Sequence, residues 1–302
     1  MKLLACIAVL AALGCGTHAA AQPLPAVEVG RIERLQAVPS RHVDPRHVDV
    51  WIPEACTPAT PCQVLYMHDG QMLFDAGTTW NRQAWDVHRT VARLMHEGRI
   101  APTLVVGIWN NGRLRHSEFY PQKALAHLPA AERERFVAEL LQGAPRSDAY
   151  LRFLVEELKP LIDARFPTRP GRDSTFVMGS SMGGMISVYA FGEYPRVFGG
   201  AAALSTHWVG RWAPNALLPL AAFNHLQAWL PPPDGRRLYM DHGTTELDAL
   251  YAPYQRFVDE IVRDKGYGPA DYQSRVFEGT GHNERAWAAR LEVPLLFLMG
   301  RR

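Results

Sequence analysis

The pattern of apolar and polar residues changes its period along the chain, and each period predicts a type of element. Two N-terminal stretches, residues 27–35 and 47–52, alternate apolar and polar positions, as strands with one solvated face do. From residue 63 onward, short apolar runs alternate with stretches whose apolar residues recur every three or four positions. The sequence therefore predicts an α/β fold, with a mostly parallel central sheet, an antiparallel leading hairpin and helices on both faces.

The later strands and helices are predicted from the same pattern. Strands are expected over residues 63–67, 104–109, 200–204, 237–241 and 272–277, and from residue 175 to a glycine-rich corner. Helices are expected over residues 131–142, 254–265 and 283–291. A further helix is expected to follow a cap at Asn81, and another to cover residues 215–229 with an interruption at Pro219. Another helix begins at residue 147 and kinks at Pro160, because proline lacks the amide hydrogen, and Pro294 opens a final apolar turn.

The glycine-rich corner carries the first candidate for chemistry. Residues 175–185 form an apolar strand, the pattern Gly179-x-Ser181-x-Gly183 and the start of a helix that is apolar almost all round. Small flanking residues let the chain turn sharply enough to hold a serine hydroxyl in strained, exposed geometry. The alternative is a strand-to-helix turn that carries a serine by accident. The strand before it and the buried helix after it favour Ser181 as a nucleophile.

A serine nucleophile needs a base within reach, and the base needs an acid that fixes its tautomer. In an α/β hydrolase they follow in the order serine, acid, histidine. His282, between glycine and the last helix, is the predicted base, although it could instead simply pack there. Asp248 is preferred to Glu246 as the acid, but spacing alone leaves both open. Three other histidines near strand ends precede these acids and break the order: His68, His207 and His242.

Acyl transfer also needs backbone donors for the developing oxyanion. The amide of Met182 is one predicted donor, and the amide of Gln71, in the loop after the strand 63–67, is the other. The alternative for that loop is a structural turn in which Asp69 caps local amides. Four further residues in loops at strand ends are candidates for substrate contact, although such loops can also be merely solvated: Arg115, Glu118, Tyr120 and Trp208.

Charge and the N-terminus limit the partners and the compartment. The formal net charge is +2 and no basic run gathers on one stretch, so nucleic-acid binding is not expected. Residues 1–21 match a secretory signal, with a positive start, a short apolar run and a small-residue cleavage site. The apolar run is too short to span a membrane. We therefore expect a single domain over residues 22–302 in the periplasm or outside the cell; a lipid anchor on Cys15 is the alternative.

The remaining cysteines fit an oxidising compartment. Cys56 and Cys62 bracket five residues just before a predicted strand, and such a pair most simply forms a disulfide. Two thiols with no further cysteine and no histidine pair nearby fall short of a zinc site. We expect neither a metal nor another cofactor.

Several of these motifs together resemble the Putative esterase family of α/β hydrolases. The resemblance covers residues 46–299 and is carried by the stretch 66–75, the strand 105–110, the corner 179–184 and residues 281–284 with Trp287. Its branches include esterase D, feruloyl and acetyl-xylan esterases and siderophore esterases, with the mycolyltransferases as relatives. It implies Ser181 as nucleophile, His282 as base and the amides of Gln71 and Met182 as oxyanion donors. A Gly-Thr-x-x-Leu-Asp pattern in similar sequences favours Asp248, while other branches keep Glu246 open.

The resulting hypothesis is an exported serine esterase that hydrolyses a small-molecule or polysaccharide ester through an acyl-enzyme on Ser181. One alternative is acyl transfer to a sugar hydroxyl, as the mycolyltransferase relatives suggest. Another is a carbohydrate-binding protein that keeps the fold without turnover.

Overall fold

The computed structural model describes residues 22–301 and contains one eight-stranded sheet within them. The strand order across the sheet is β1-β2-β4-β3-β5-β6-β7-β8. The strands are β1 Arg31–Val38, β2 Arg46–Ile52, β3 Gln63–His68, β4 Thr103–Ile108, β5 Thr175–Ser180, β6 Gly200–Leu204, β7 Arg237–Gly243 and β8 Tyr272–Phe277. The predicted signal segment lies outside the described residues.

The pairing of the strands matches the predicted fold class. β1 pairs with β2, and β2 with β4, in antiparallel fashion, whereas every pair from β4 to β8 is parallel. The parallel strands β3 to β7 are almost continuously buried, because helices cover both faces, whereas β8 at the edge of the sheet is largely half-buried or exposed. The α/β-hydrolase fold with an antiparallel leading hairpin is therefore confirmed. The first strand starts at Arg31 and not at residue 27, because Gly30 turns the chain there with φ near +69°.

Ten α-helices lie within the described part of the chain. They are α1 Val87–His96, α2 Arg115–Phe119, α3 Ala130–Leu140, α4 Ser147–Arg152, α5 Lys159–Arg165, α6 Met182–Glu193, α7 Leu217–Trp229, α8 Ala252–Asp264, α9 Glu284–Arg290 and α10 Glu292–Met299. A π-helical segment, Phe153–Leu158, joins α4 to α5. Short 3₁₀ helices at Gly70–Met72 and Glu246–Leu250 follow β3 and β7. None of the helices over residues 22–301 is long and apolar enough to cross a membrane.

Two predicted helix features are wrong. Asn81 does not cap α1, which begins at Val87; the Asn81 side chain instead donates to Glu284 at 2.8 Å. Pro219 does not interrupt α7, because it lies in the first turn, where a missing amide hydrogen costs no helical bond. The predicted kink at Pro160 takes the form of the π-helical segment just upstream, where the ring would crowd the carbonyl four residues back.

The apolar core forms two clusters, one on each face of the sheet. Alternate residues of each strand point to opposite faces, so Val64 and Tyr66 belong to one cluster and Leu65 and Met67 to the other. The first cluster includes α6 and the second includes α1 and α10. The predicted disulfide between Cys56 and Cys62 is present just before β3. The two clusters hold the carboxyl ends of β3, β5, β7 and β8 at one edge of the sheet.

Candidate active site

The chain bends sharply between β5 and α6, and Ser181 stands at the bend. Its φ and ψ are +57° and −121°, a strained region for a residue with a side chain. The Ser181 amide donates to the Leu204 carbonyl at 2.9 Å, which ties the bend to the end of β6. A Cβ on Gly179 would lie 2.6 Å from the Gly183 carbonyl oxygen, so only glycine fits there. The local sequence therefore builds the turn that the pattern predicts.

The structure pairs His282 with Asp248. The Nδ1 atom of His282 lies 2.6 Å from Oδ1 of Asp248. Asp248 belongs to the 3₁₀ helix after β7, and His282 lies between β8 and α9. Ser181 and His282 line the same cleft at the carboxyl edge of the sheet. Asp248 contacts Nδ1, so Nε2 is the ring nitrogen of His282 that this carboxylate leaves available.

Asp248 is buried and its second oxygen is also fully engaged. Oδ2 accepts from the Ser205 hydroxyl and from the Gly243 amide, each at 2.6 Å. Burial alone raises the pKa of this carboxyl, but the hydrogen bonds from His282, Ser205 and Gly243 more than offset it and hold the pKa below its usual value. The carboxylate is therefore kept ionised and oriented toward His282.

A buried network behind the acid was not predicted from the sequence. The Ser205 hydroxyl accepts from Trp287 Nε1 and from Arg290 Nη2, both at 2.9 Å. Arg290 also pairs with buried Asp241 at 2.9 Å. Trp287 and Arg290 lie three residues apart on α9 and so share one face, which is the only signal that the sequence offered. Together these groups fix the hydroxyl that holds Asp248.

Glu246, the competing acid, contacts the backbone of His282 and not its ring. Its Oε2 atom accepts from the His282 amide at 2.7 Å and from Asn283 Nδ2 at 3.3 Å. Its side chain is exposed, and its φ is +55°. The structure therefore gives the two carboxylates different contacts with the same histidine.

The loop after β3 and the start of α6 carry the two predicted oxyanion donors. Gln71 lies in the 3₁₀ helix Gly70–Met72, and Met182 is the first residue of α6, where an amide has no helical acceptor. A Cβ on Gly70 would lie 2.4 Å from the carbonyl of Gly107, so the loop packs directly on β4. Gln71 lines the cleft beside Ser181.

The alternative prediction for this loop, in which the Asp69 side chain caps local amides, is wrong. The two carboxylate oxygens of Asp69 accept from Arg115 Nε and Nη2 at 2.6 and 2.7 Å, and Oδ1 also accepts from Asn110 Nδ2 at 2.6 Å. Burial alone raises the pKa of the Asp69 carboxyl, but Arg115 and Asn110 more than offset it and lower the pKa. This ion pair fastens the loop after β3 to α2.

Of the four candidates for substrate contact, the structure brings only Arg115 to the cleft, where 29% of its side chain is exposed. Glu118 is buried and pairs with Arg46 at 2.7 and 2.8 Å, because a carboxylate inside a protein needs a partner. Tyr120 is buried against Phe136, with ring centroids 4.7 Å apart. Trp208 is buried too, and its Nε1 donates to Gln255 at 3.1 Å. Glu118, Tyr120 and Trp208 therefore make contacts inside the protein and do not line the cleft.

The cleft itself has a volume of about 470 Å³ and is open to solvent. Two tryptophans at its rim were missed by sequence reasoning: Trp80 is 84% exposed and Trp212 is 82% exposed. Asn81, Asn283 and Glu284 line the cleft as well. No group of three or more His, Cys, Asp or Glu side chains that could hold a metal ion occurs among residues 22–301.

Comparison with known proteins finds the same fold in several esterases. Enterobactin esterase from Shigella flexneri is 18% identical, with a TM-score of 0.66 over 91% of this chain and 60% of that chain. Ferulic acid esterase from Anaeromyces mucronatus is 15% identical, with a TM-score of 0.62 over 91% and 92% of the two chains. At such identities the likeness is one of fold.

One curated relative matches in sequence, the uncharacterized protein YjcH of Bacillus subtilis. It is 22% identical over 151 residues, which are 50% of this chain and 51% of that protein. The chain thus spans about half the length of this relative. The Putative esterase family model matches residues 41–298, most of the sequence. The chain therefore belongs to the Putative esterase family, and this membership supports the hydrolysis of esters.

Proposed function

We propose that this protein is an exported serine esterase that forms an acyl-enzyme on Ser181. The observation that carries the proposal is the 2.6 Å bond between His282 and Asp248 in the cleft that the strained Ser181 also lines. Nucleophile, base and acid follow one another in the chain in the order of α/β hydrolases. Strain at the serine supports a functional role, because such backbone angles persist where the surrounding structure enforces them.

The reaction follows from the roles of these groups. Ser181 Oγ attacks the ester carbonyl while His282 Nε2 takes the hydroxyl proton, and Asp248 stabilises the resulting imidazolium. The amides of Gln71 and Met182 donate to the oxyanion. His282 then protonates the alcohol oxygen, which leaves as the carbonyl reforms. In the second half, water gives a proton to His282 and attacks the acyl carbonyl, and Oγ leaves with that proton as the acid is released.

A fluorophosphonate probe tests the nucleophile. We expect it to label Ser181, and Ser181→Ala to lower kcat for p-nitrophenyl acetate at least about 10⁴-fold with an unchanged melting temperature. Ser187→Ala is the matched control, because this serine lies on the same helix and its hydroxyl only donates to the Gly183 carbonyl at 2.7 Å. Full activity of Ser181→Ala, or labelling elsewhere, would rule out the proposed mechanism.

The rim of the cleft supports an acylated carbohydrate as the substrate. Large apolar side chains that stand free at the edge of a groove are typical of ligand contact. A sugar ring has apolar C–H faces that can pack on the indoles of Trp80 and Trp212. Its hydroxyls can bond to the polar groups of Asn81, Asn283 and Glu284, which line the same cleft.

Substitution of the rim tryptophans tests this substrate class. We expect Trp80→Ala and Trp212→Ala each to raise KM for an acetylated xylo-oligosaccharide about 10-fold at unchanged kcat. Loss of either indole removes binding contacts but no group that takes part in the reaction. For both tryptophan variants, the kinetics with p-nitrophenyl acetate should stay the same. Phe257→Ala is the control, because Phe257 is 64% exposed and does not line the cleft. Equal KM changes on both substrates would argue against a sugar contact.

Export is part of the proposal and rests on the signal pattern and on the Cys56–Cys62 disulfide. Expression of the full chain followed by fractionation tests it, with mass spectrometry of the N-terminus. A mature protein that begins at Gln22 outside the cytoplasm supports export, and an intact N-terminus inside the cell contradicts it.

A further inference from the structure

The phenol of Tyr251 is a buried group of the site that the mechanism above does not use. Tyr251 directly follows the 3₁₀ helix that carries Asp248, and its amide donates to the Asp248 carbonyl at 3.0 Å. Its ring meets the ring of His282 edge-on, with centroids 5.7 Å apart and planes at 77°. Burial raises the pKa of its phenol, and the nearby hydroxyl of Ser181 offsets a small part of this effect. Tyr251 therefore packs against the proposed base and lies near the proposed nucleophile.

A third side chain, His207, holds the same phenol from the other side. Its Nδ1 atom lies 2.8 Å from the Tyr251 hydroxyl. Its backbone amide donates to the Ser181 carbonyl at 3.2 Å, so His207 and the nucleophile are fixed to each other. Burial lowers the pKa of His207 to about 3, and nearby His282 adds to this effect. The imidazole is therefore neutral under working conditions and carries a single N–H.

We propose that Tyr251 donates a hydrogen bond to Ser181 Oγ and that His207 orients the phenol for this purpose. In this arrangement His207 donates from Nδ1 to the Tyr251 oxygen, which leaves the phenolic hydrogen for Oγ. The Ser181 hydrogen is then directed to His282 Nε2. The reverse arrangement, in which Ser181 donates to Tyr251, would take the serine proton away from its base. The inference rests on the proposed esterase function and adds a catalytic residue and a positioning residue to it.

The chemistry gives this hydrogen bond a specific role. During acylation Oγ forms a bond to carbon and loses electron density, so a donor to Oγ gains little there. During deacylation the bond between the carbonyl carbon and Oγ breaks, and Oγ receives the electron pair while His282 returns a proton to it. A donor already aimed at Oγ becomes stronger as that charge develops. Tyr251 should therefore accelerate deacylation more than acylation.

Tyr251→Phe isolates the hydroxyl, since it keeps the ring against His282. With p-nitrophenyl acetate and rapid mixing, we expect kcat to fall about 10-fold while kcat/KM changes less than about threefold. The burst of p-nitrophenol should rise to one per active site, because the acyl-enzyme accumulates. Tyr267→Phe is the matched control: its buried hydroxyl donates to the Pro231 carbonyl at 2.9 Å, away from the cleft.

His207 variants test the orienting role. His207→Ala should lower kcat several-fold, and His207→Asn should restore most of it, because the asparagine amide can replace Nδ1–H. In the Tyr251→Phe background neither change should lower kcat further, since both act through the same hydroxyl. This pattern separates orientation of the phenol from a general loss of packing.

Three outcomes would overturn the inference. They are unchanged kinetics in Tyr251→Phe, an equal fall of kcat and kcat/KM together with a lower melting temperature, and additive effects of the His207 and Tyr251 changes. If Tyr251→Phe does not fold, the comparison of His207→Ala with His207→Asn decides by itself. Failure of the esterase proposal looks different: Ser181→Ala would then retain activity and the serine would escape the fluorophosphonate.

Discussion

At the scale of single residues, Asp248 and Glu246 differ in which part of His282 they contact, and we expect their roles to differ accordingly. Asp248 accepts from the ring at Nδ1, whereas Glu246 accepts from the backbone amide. Only a carboxylate on the ring can stabilise the imidazolium that forms during catalysis. The two residues are therefore expected to differ strongly in their effect on rate.

Amide substitutions at the two positions test this difference. Asp248→Asn should lower kcat about 10³- to 10⁴-fold, since the neutral amide no longer supports the charged ring and favours the wrong tautomer. Glu246→Gln keeps an oxygen for the His282 amide, so we expect less than about a fivefold loss. Steady-state kinetics with p-nitrophenyl acetate and melting curves measure both. A larger loss for Glu246→Gln would move the role of acid to Glu246.

The sequence could rank these acids but could not separate them. Strand order predicts that both follow β7, and the His282 corner follows β8. The choice between them is made by the 3₁₀ helix Glu246–Leu250, which turns Asp248 inward to Gly243 and Ser205 and leaves Glu246 exposed. The orientation of Asp248 depends in part on Ser205, which lies 43 positions away in the sequence, and spacing does not reveal such a contact.

At the scale of elements, strands were predicted more closely than helices. The buried strand β6 is a continuous apolar run and has the predicted bounds, and the edge strand β8, which alternates less regularly, has them too. Helix starts depend on which side chain satisfies the first free amides. Asn81 has the right chemistry for a cap, but its side chain amide bonds to Glu284 across the cleft. The contact with Glu284, which exists only in the folded chain, is therefore formed in place of the helix cap that the local sequence favours.

The loops beyond the strands explain why the residues that line the cleft were harder to predict. An aromatic residue in a loop has the same sequence signal whether it is buried or exposed. Trp208 is buried and bonded to Gln255, whereas Trp212, four residues later, is almost fully exposed at the rim. The sequence left substrate contact and simple solvation both open for these loops, and the packing of the loops decides which side chains face the cleft.

At the scale of the whole molecule, the folded state depends on histidines that are buried without charge. Burial lowers the pKa of His68 and of His207 to about 3, from an ordinary value of 6.5. His68 bonds to Tyr150 at 2.7 Å through Nδ1, and His207 bonds to Tyr251. In the unfolded chain both rings can take a proton near pH 6.5. Acid therefore favours the unfolded state through both of them.

The free energy of unfolding should consequently fall as the pH is lowered from about 6.5 to 4. Each of these histidines contributes a slope of about 1.4 kcal/mol per pH unit in this window, because the unfolded chain binds one more proton for each. Urea unfolding at several pH values measures the slope. His207→Asn cannot be protonated at this position, so the slope should fall by the contribution of one proton. His96→Asn, at an exposed histidine of α1, is the control and should leave the slope unchanged. An unchanged slope in His207→Asn would mean that the His207 ring is also protonated in the folded protein, and that another group produces the acid sensitivity.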